Sequence, residues 1–416
     1  MKTIIIVRMK NFKILLFFGL LSGLFNACRL SEDTQPTKPS VAELMKQKLE
    51  DSLKTKEVGY AFAIYEGTEL LAQGSGGFQS RAVDPEGQKN FTADTKLHIA
   101  SMTKTLTAMA FLRVAQQYKL NTTDKIAPFL PTAWVRGAGV AQITFGDLLT
   151  HRSGITGLGS NCQNGAYTEN VYSGLRRLVE KGVTTRGSYC YQNANFGLFR
   201  VLIPRILGYQ FTGNETTDDA ETQKRYLAFL QQEIFTKAGI NATIVHPPGN
   251  PTYTYNFPIA TTQRGWNPGD FSQTFGAYGV YLTATEAGKI YATALSSANN
   301  AVLPNTLSDS LLAKDLGVYK VAGQAGTAYY HDGWWYSGLS SSGQGLRTIW
   351  MKLPNNITCV LFVNALVWRN GSLVFPYNSG NIVAFTYNAY AQAMQARGMR
   401  LGTENETLQI EHPEPH

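Results

Sequence analysis

"HIASMTKTLTAMAFL", residues 98–112, sets the problem on which the fold turns. Lys104 stands three residues after Ser101, at the head of a run that reads as a helix. On a helix, residues three and four apart share a face, so Ser101, Lys104, Ala108 and Phe111 form one stripe. Met102, Leu106, Met109 and Leu112 make the other side apolar too, and a helix apolar all round is a buried one. Burial disfavours the charged form of a lysine. A neutral amine beside a serine hydroxyl can take its proton as the oxygen attacks a carbonyl. The plainer reading is that Lys104 snorkels from the first turn to water. Ser-x-x-Lys alone does not decide between them.

The 416-residue chain is 44% apolar and 16% charged, a globular composition with room for one large domain or two intimate ones. Lys10 and Lys13 precede "ILLFFGLLSGLF" (14–25), of signal-peptide length and short for a membrane span, so residues 1–27 read as a signal peptide. Cys28 after Ala27 resembles a bacterial lipoprotein processing site, where the cysteine is lipidated; the alternative is a cleaved secretory signal followed by an ordinary cysteine. The expectation is a protein exported to the bacterial periplasm or cell surface and attached to the membrane through a lipid anchor. Four of the 37 basic residues (Lys2, Arg8, Lys10 and Lys13) and none of the 29 acids lie in the signal, so a formal charge of +8 falls to +4 in the mature chain. No Lys/Arg run stands out, and nucleic acid is not an expected partner.

Residues 28–40 are polar and proline-bearing, a tether. Ser40 and Glu43 form a capping box opening a helix near 41–56. "YAFAIYEGTELLAQGSGGF" reads as two strands around a Glu-Gly-Thr turn. Residues 120–270 alternate short helical patterns with loops. A helix near 284–298, three strand patterns ("GTAYYHDGWW", "LRTIWMKL", "TCVLFVNAL") and a helix near 380–397 follow. The fold class is therefore α/β of the α+β type: one antiparallel sheet built from both chain ends, flanked by helices, with a mostly helical insert at about 120–270. The domain spans 41–399, and 400–416 reads as a disordered tail. Cys162 and Cys190, both in loop-like sequence, are a possible disulfide; Cys359 reads as a buried strand thiol. No Cys/His spacing fits zinc, so no metal or cofactor is called for.

Two further motifs bear on the opening question: Tyr191-Gln192-Asn193 and His331-Asp332-Gly333. Ser-x-x-Lys, Tyr-x-Asn and His-x-Gly each occur once, in that order. With "FTADTKLHIASMTKTLTA", "LLTHRSGITGL" and "GAYGVYLTATEAGK", they give a chain that over roughly 57–395 resembles the serine β-lactamase and penicillin-binding superfamily. The nearest branch is the one that holds class C β-lactamases, D-stereospecific peptidases and esterases. The resemblance implies a β-lactamase/DD-peptidase-like fold and an acyl-enzyme mechanism. Ser101 would be the nucleophile, Lys104 the group that lowers the proton affinity around it, and Tyr191 the second base. A cation beside a phenol favours phenolate, so Lys104 and Tyr191 are expected to titrate together. Asn193 would orient Lys104 and touch the substrate. The Ser101 and Trp334 backbone N–H groups would form the oxyanion hole, and Gly333 would let the substrate approach the strand. His151 is read as part of a structural turn that supports the cleft wall.

The pattern departs from penicillin-active members, which carry Lys-Thr-Gly where this chain has His331-Asp332-Gly333. A histidine neutral near pH 7 replaces the permanent cation, and a carboxylate, which repels another carboxylate, replaces the hydroxyl. The expected function is an exported serine hydrolase of esterase or peptidase type. It would act on a small-molecule ester, amide or peptide that lacks a carboxylate at that subsite. The alternatives are a cell-wall D,D-carboxypeptidase or β-lactamase, and a non-catalytic cell-wall-binding protein on the same fold.

Overall fold

A computed structural model describes residues 38–159, 161–163, 166–241, 250–297, 301–377, 380–402 and 407–411. The expected signal peptide, Cys28 and most of the tether lie outside the described residues.

Ser40 caps helix α1 (Val41–Leu53): its hydroxyl accepts the Glu43 N–H, and the Glu43 carboxylate accepts the Ser40 N–H. Strands β1 (Tyr60–Glu66) and β2 (Glu69–Gly76) then form a hairpin. Their sheet has ten strands. The others are β3 (Tyr255–Phe257), β4 (Tyr319–Gly323), β5 (Gly326–Tyr336), β6 (Gly345–Lys352), β7 (Ile357–Val363), β8 (Ala365–Arg369), β9 (Ser372–Val374) and β10 (Gln409–Ile410). The order runs β9-β8-β3-β6-β7-β1-β2, with β5 on β6, β4 on β5 and β10 on β4. β1 lies antiparallel to β7, so the two chain ends meet in the middle of the sheet. β3 and β8 are the one parallel pair in this sheet.

Both faces are covered, and the strands show it by alternation. Ala61, Ala63 and Tyr65 of β1, with Val360 and Phe362 of β7, join the core shared with the helical part of the chain. Tyr60, Phe62 and Ile64, with Cys359, Leu361 and Val363, join the core under α1 and the last helix, α7 (Ile382–Ala396). Between residues 77 and 318 the chain is chiefly helical. It carries α2 (Thr103–Tyr118), α3 (Tyr172–Lys181), α4 (Phe199–Ile206), α5 (Glu215–Leu230) and α6 (Ala284–Leu295). The expected helical insert corresponds to α3–α5 and their loops. Cys359 is buried and free.

One expectation fails. Within the tail read as disordered, Gln409 and Ile410 pair with Ala322 and Val321, and the Glu411 carbonyl accepts the Tyr330 hydroxyl. The polar composition of 400–416 hid a strand whose order comes from the partner edge rather than from its own side chains.

Candidate active site

Ser101 lies in a 3-10 turn, Ala100–Met102, that runs into α2. The turn is held from three sides. The Ile99 N–H donates to the Val280 carbonyl at 2.9 Å, the Thr348 hydroxyl donates to the Ile99 carbonyl at 2.8 Å, and the Tyr291 hydroxyl donates to the Met102 carbonyl at 2.8 Å. Ala100 is thereby kept at φ 47°, a left-handed conformation that costs a non-glycine residue energy and that surrounding packing must enforce. Gly333 of β5 presses on the same turn. A Cβ there would stand 2.5 Å from the Ile99 carbonyl and 3.0 Å from the Ala100 Cβ, and would collide with the Thr348 hydroxyl. The sequence reading gave Gly333 to substrate access; the structure shows the protein's own nucleophile turn needing that space.

Lys104 is fully buried, as is every residue of α2 from Thr103 to Ala110. It does not reach water. Its Nζ lies 2.8 Å from Ser101 Oγ, 2.7 Å from Asn193 Oδ1 and 3.1 Å from the Ala277 carbonyl. Burial holds the amine well below the usual lysine range, and only the Asp332 carboxylate pulls the other way. A neutral amine has two N–H donors and one lone pair. The Asn193 and Ala277 oxygens accept both hydrogens, which turns the lone pair toward the Ser101 hydroxyl.

The Tyr191 hydroxyl donates to Ser101 Oγ at 2.8 Å. Its position comes from the loop beneath it. His151 stacks at 4.4 Å between ring centroids, and its Nδ1 accepts the Gln192 N–H at 3.1 Å. A disulfide joins Cys190 to Cys162, and the Gln192 side-chain amide donates to the Gln163 carbonyl. His151 supports the wall that carries Tyr191, as the sequence reading assigned it. Burial pushes the Tyr191 phenol above the ordinary tyrosine range, against the hydrogen bond to Ser101, and the Tyr189 and Asp332 charges add to that rise. The expected phenolate is therefore not the resting form: burial removes the lysine's charge, and no cation is left beside the phenol to favour it.

His331 is buried under the cleft, 5.0 Å from the Tyr319 ring, with Nδ1 2.7 Å from the Asp332 carbonyl. Burial lowers its proton affinity to a pKa of about 3, so it is neutral at physiological pH. Asp332 differs most from expectation. It is not a bare carboxylate: Oδ2 lies 3.3 Å from Nη1 of Arg347 on β6, whose side chain is wholly buried and lies 5.2 Å from the Trp334 ring. Trp334 itself packs on Leu366 and Leu373. β4 covers β5 only as far as Tyr330, so the edge from His331 onward has no strand partner among the described residues.

Ser101, Lys104, Tyr191 and Asn193 thus come together, with Gly333 against their turn and His331, Asp332 and Trp334 along the neighbouring edge. Sequence reasoning missed the Ala277 carbonyl and Arg347. A backbone oxygen carries no sequence signal. Arg347 sits in "LRTIWMKL", where one arginine on an otherwise apolar strand was the available hint.

Residues 41–376 match the family model for Beta-lactamase, and the chain belongs to that family. Among curated proteins it is 25% identical over 311 residues to the putative penicillin-binding protein PbpX of Bacillus subtilis, covering 66% of this chain and 72% of that one. It is 23% identical over 247 residues to the teichoic acid D-alanine hydrolase of Staphylococcus aureus, covering 59% of this chain and only 56% of that protein. Among solved structures, FmtA from S. aureus superposes with a TM-score of 0.62 at 17% identity, covering 91% and 95% of the two chains. A beta-lactamase/D-alanine carboxypeptidase from Yersinia pestis gives 0.61 at 15% identity, covering 85% and 100%. At these identities the structural matches establish the fold.

Proposed function

We propose that the protein is an exported serine hydrolase that cleaves an ester or amide through an acyl-enzyme on Ser101. The observation that carries this is the pair of 2.8 Å contacts that Ser101 Oγ makes with the Lys104 amine and the Tyr191 hydroxyl. Lys104 takes the Ser101 proton as the oxygen bonds to the substrate carbonyl carbon. The backbone N–H groups of Ser101 and Trp334 receive the charge that develops on the carbonyl oxygen. The tetrahedral intermediate collapses, the bond to the leaving group breaks, and the Tyr191 phenol protonates that group while the Lys104 ammonium restores the phenol. A water then repeats the sequence in reverse: its proton passes to the Tyr191–Lys104 pair, its oxygen bonds to the acyl carbon, and Ser101 leaves with a proton. Asn193 serves by fixing the amine.

Relatives named as a D-alanine hydrolase and a penicillin-binding protein support an acyl substrate met outside the cytoplasm. Export through residues 1–27, with lipidation at Cys28, belongs to the same proposal. Metabolic labelling with a tagged fatty acid tests it, since the label must vanish in Cys28→Ser.

Activity is tested with a fluorophosphonate probe, a p-nitrophenyl ester and a chromogenic cephalosporin, beside Ser101→Ala. Ester turnover lost in the variant supports the reading. Efficient cephalosporin turnover moves it to a β-lactamase, and silence on all three moves it to a cell-wall binder.

A further inference from the structure

We propose that Asp332 is a built-in stand-in for a substrate carboxylate, holding Arg347 occupied and so closing this edge of the cleft to anionic substrates. The proposal rests on the hydrolase reading above and adds the substrate class. Arg347 is wholly buried on β6, beneath the edge of β5 that lies against the nucleophile turn. Asp332 stands one residue from Gly333, the residue in contact with Ile99 and Ala100. Its side chain keeps 16% of its surface exposed, whereas that of Arg347 keeps none. The charge of Asp332 reaches the reaction centre, since it raises the proton affinity of both Lys104 and Tyr191.

A buried guanidinium one strand from a reaction centre would draw in a carboxylate, because desolvated arginine–carboxylate pairs are strong and directional. Here the chain supplies that carboxylate itself. The incoming anion finds the cation already neutralised and meets the exposed part of Asp332, which repels it. A neutral ester, thioester or amide meets neither penalty. Selectivity thus comes from an element that repels the wrong substrate as much as from one that attracts the right one.

The test uses the thioester N-benzoylglycyl-thioglycolate and its carboxamide, which differ only in the terminal carboxylate. The wild-type protein is expected to turn over the carboxamide about tenfold or more faster in kcat/KM. In Asp332→Ala that ratio shrinks about tenfold or more, any general loss of activity cancelling in the ratio. A wild-type preference for the carboxylate, or a ratio unchanged in Asp332→Ala, overturns the proposal. A second measurement needs no turnover: acetate, with chloride at equal ionic strength as control, is expected to raise the melting temperature of Asp332→Ala and leave the wild type unmoved. Acetate acting equally on both, or on neither, also overturns it. Because this readout is independent of Ser101, an inactive protein would sink the hydrolase reading while the Arg347 pairing is still judged by acetate.

Discussion

The Lys104 amine lies 2.8 Å from the Ser101 hydroxyl while the Asn193 and Ala277 oxygens take its hydrogens, so the lysine meets the serine with a lone pair. That relationship gives Lys104 a role its burial would otherwise forbid. Replacing it by methionine should lower kcat roughly 10³-fold, the scale of a lost general base, with the protein still folded by circular dichroism. Retained activity in Lys104→Met would remove the amine from the mechanism.

The same geometry fixes the sign of the pH dependence. The competent lysine is neutral, and burial keeps it neutral well below the usual lysine range. Activity should therefore be level through neutral and mildly alkaline pH and fall only as pH drops through the lowered value. A kcat/KM profile that climbs toward pH 10 would show a lysine charged at neutrality.

Tyr191→Phe deletes the hydroxyl that donates to Ser101 but leaves the ring against His151. The expected result is a kcat loss of about 10²–10⁴-fold with a melting temperature close to wild type. Steady-state and burst kinetics on a p-nitrophenyl ester measure both acylation and deacylation.

The Cys162–Cys190 bond closes a loop of 28 residues next to Tyr191. Cys162→Ser should cost about 2–4 kcal/mol of stability. It should also reduce kcat more than it raises KM, because the loop it frees carries Tyr191 rather than the acyl group. Thermal melts in oxidising and reducing buffer, with kinetics alongside, check this.

Gly333→Ala places a methyl group against the Ile99 carbonyl and the Ala100 Cβ. Overpacking of this kind costs about 1–3 kcal/mol. The strain falls on the turn that aims Ser101, so the variant should lose activity out of proportion to its stability. A variant that is destabilised yet fully active would detach Gly333 from the alignment of the nucleophile.

What the sequence made legible follows from how local each signal was. Ser101 and Lys104 share one helical turn, and the all-round apolar pattern of 102–112 announced the burial that alters the lysine. Cap residues Ser40 and Thr283 placed the starts of α1 and α6, both with reciprocal capping boxes. The strands β5–β7 were visible as β-branched and aromatic runs. The hidden features are those made between distant segments. Arg347 and Asp332 are 15 residues apart and meet only once β5 and β6 pair. The Ala277 carbonyl reaches Lys104 across 173 positions. Strand β10 exists because β4 offers it an edge. The error about the phenolate had a similar origin: composition showed a cation near a phenol, but only the packed structure shows that burial removes the cation's charge.

The central claim is that Ser101 is the nucleophile, activated by a neutral lysine. Intact-protein mass spectrometry after brief exposure to a fluorophosphonate, followed by peptide mapping, tests it most directly. The account predicts a single adduct on Ser101, absent in Ser101→Ala and formed far more slowly in Lys104→Met. An unmodified protein, an adduct on another residue, or equal labelling of the lysine variant would contradict it.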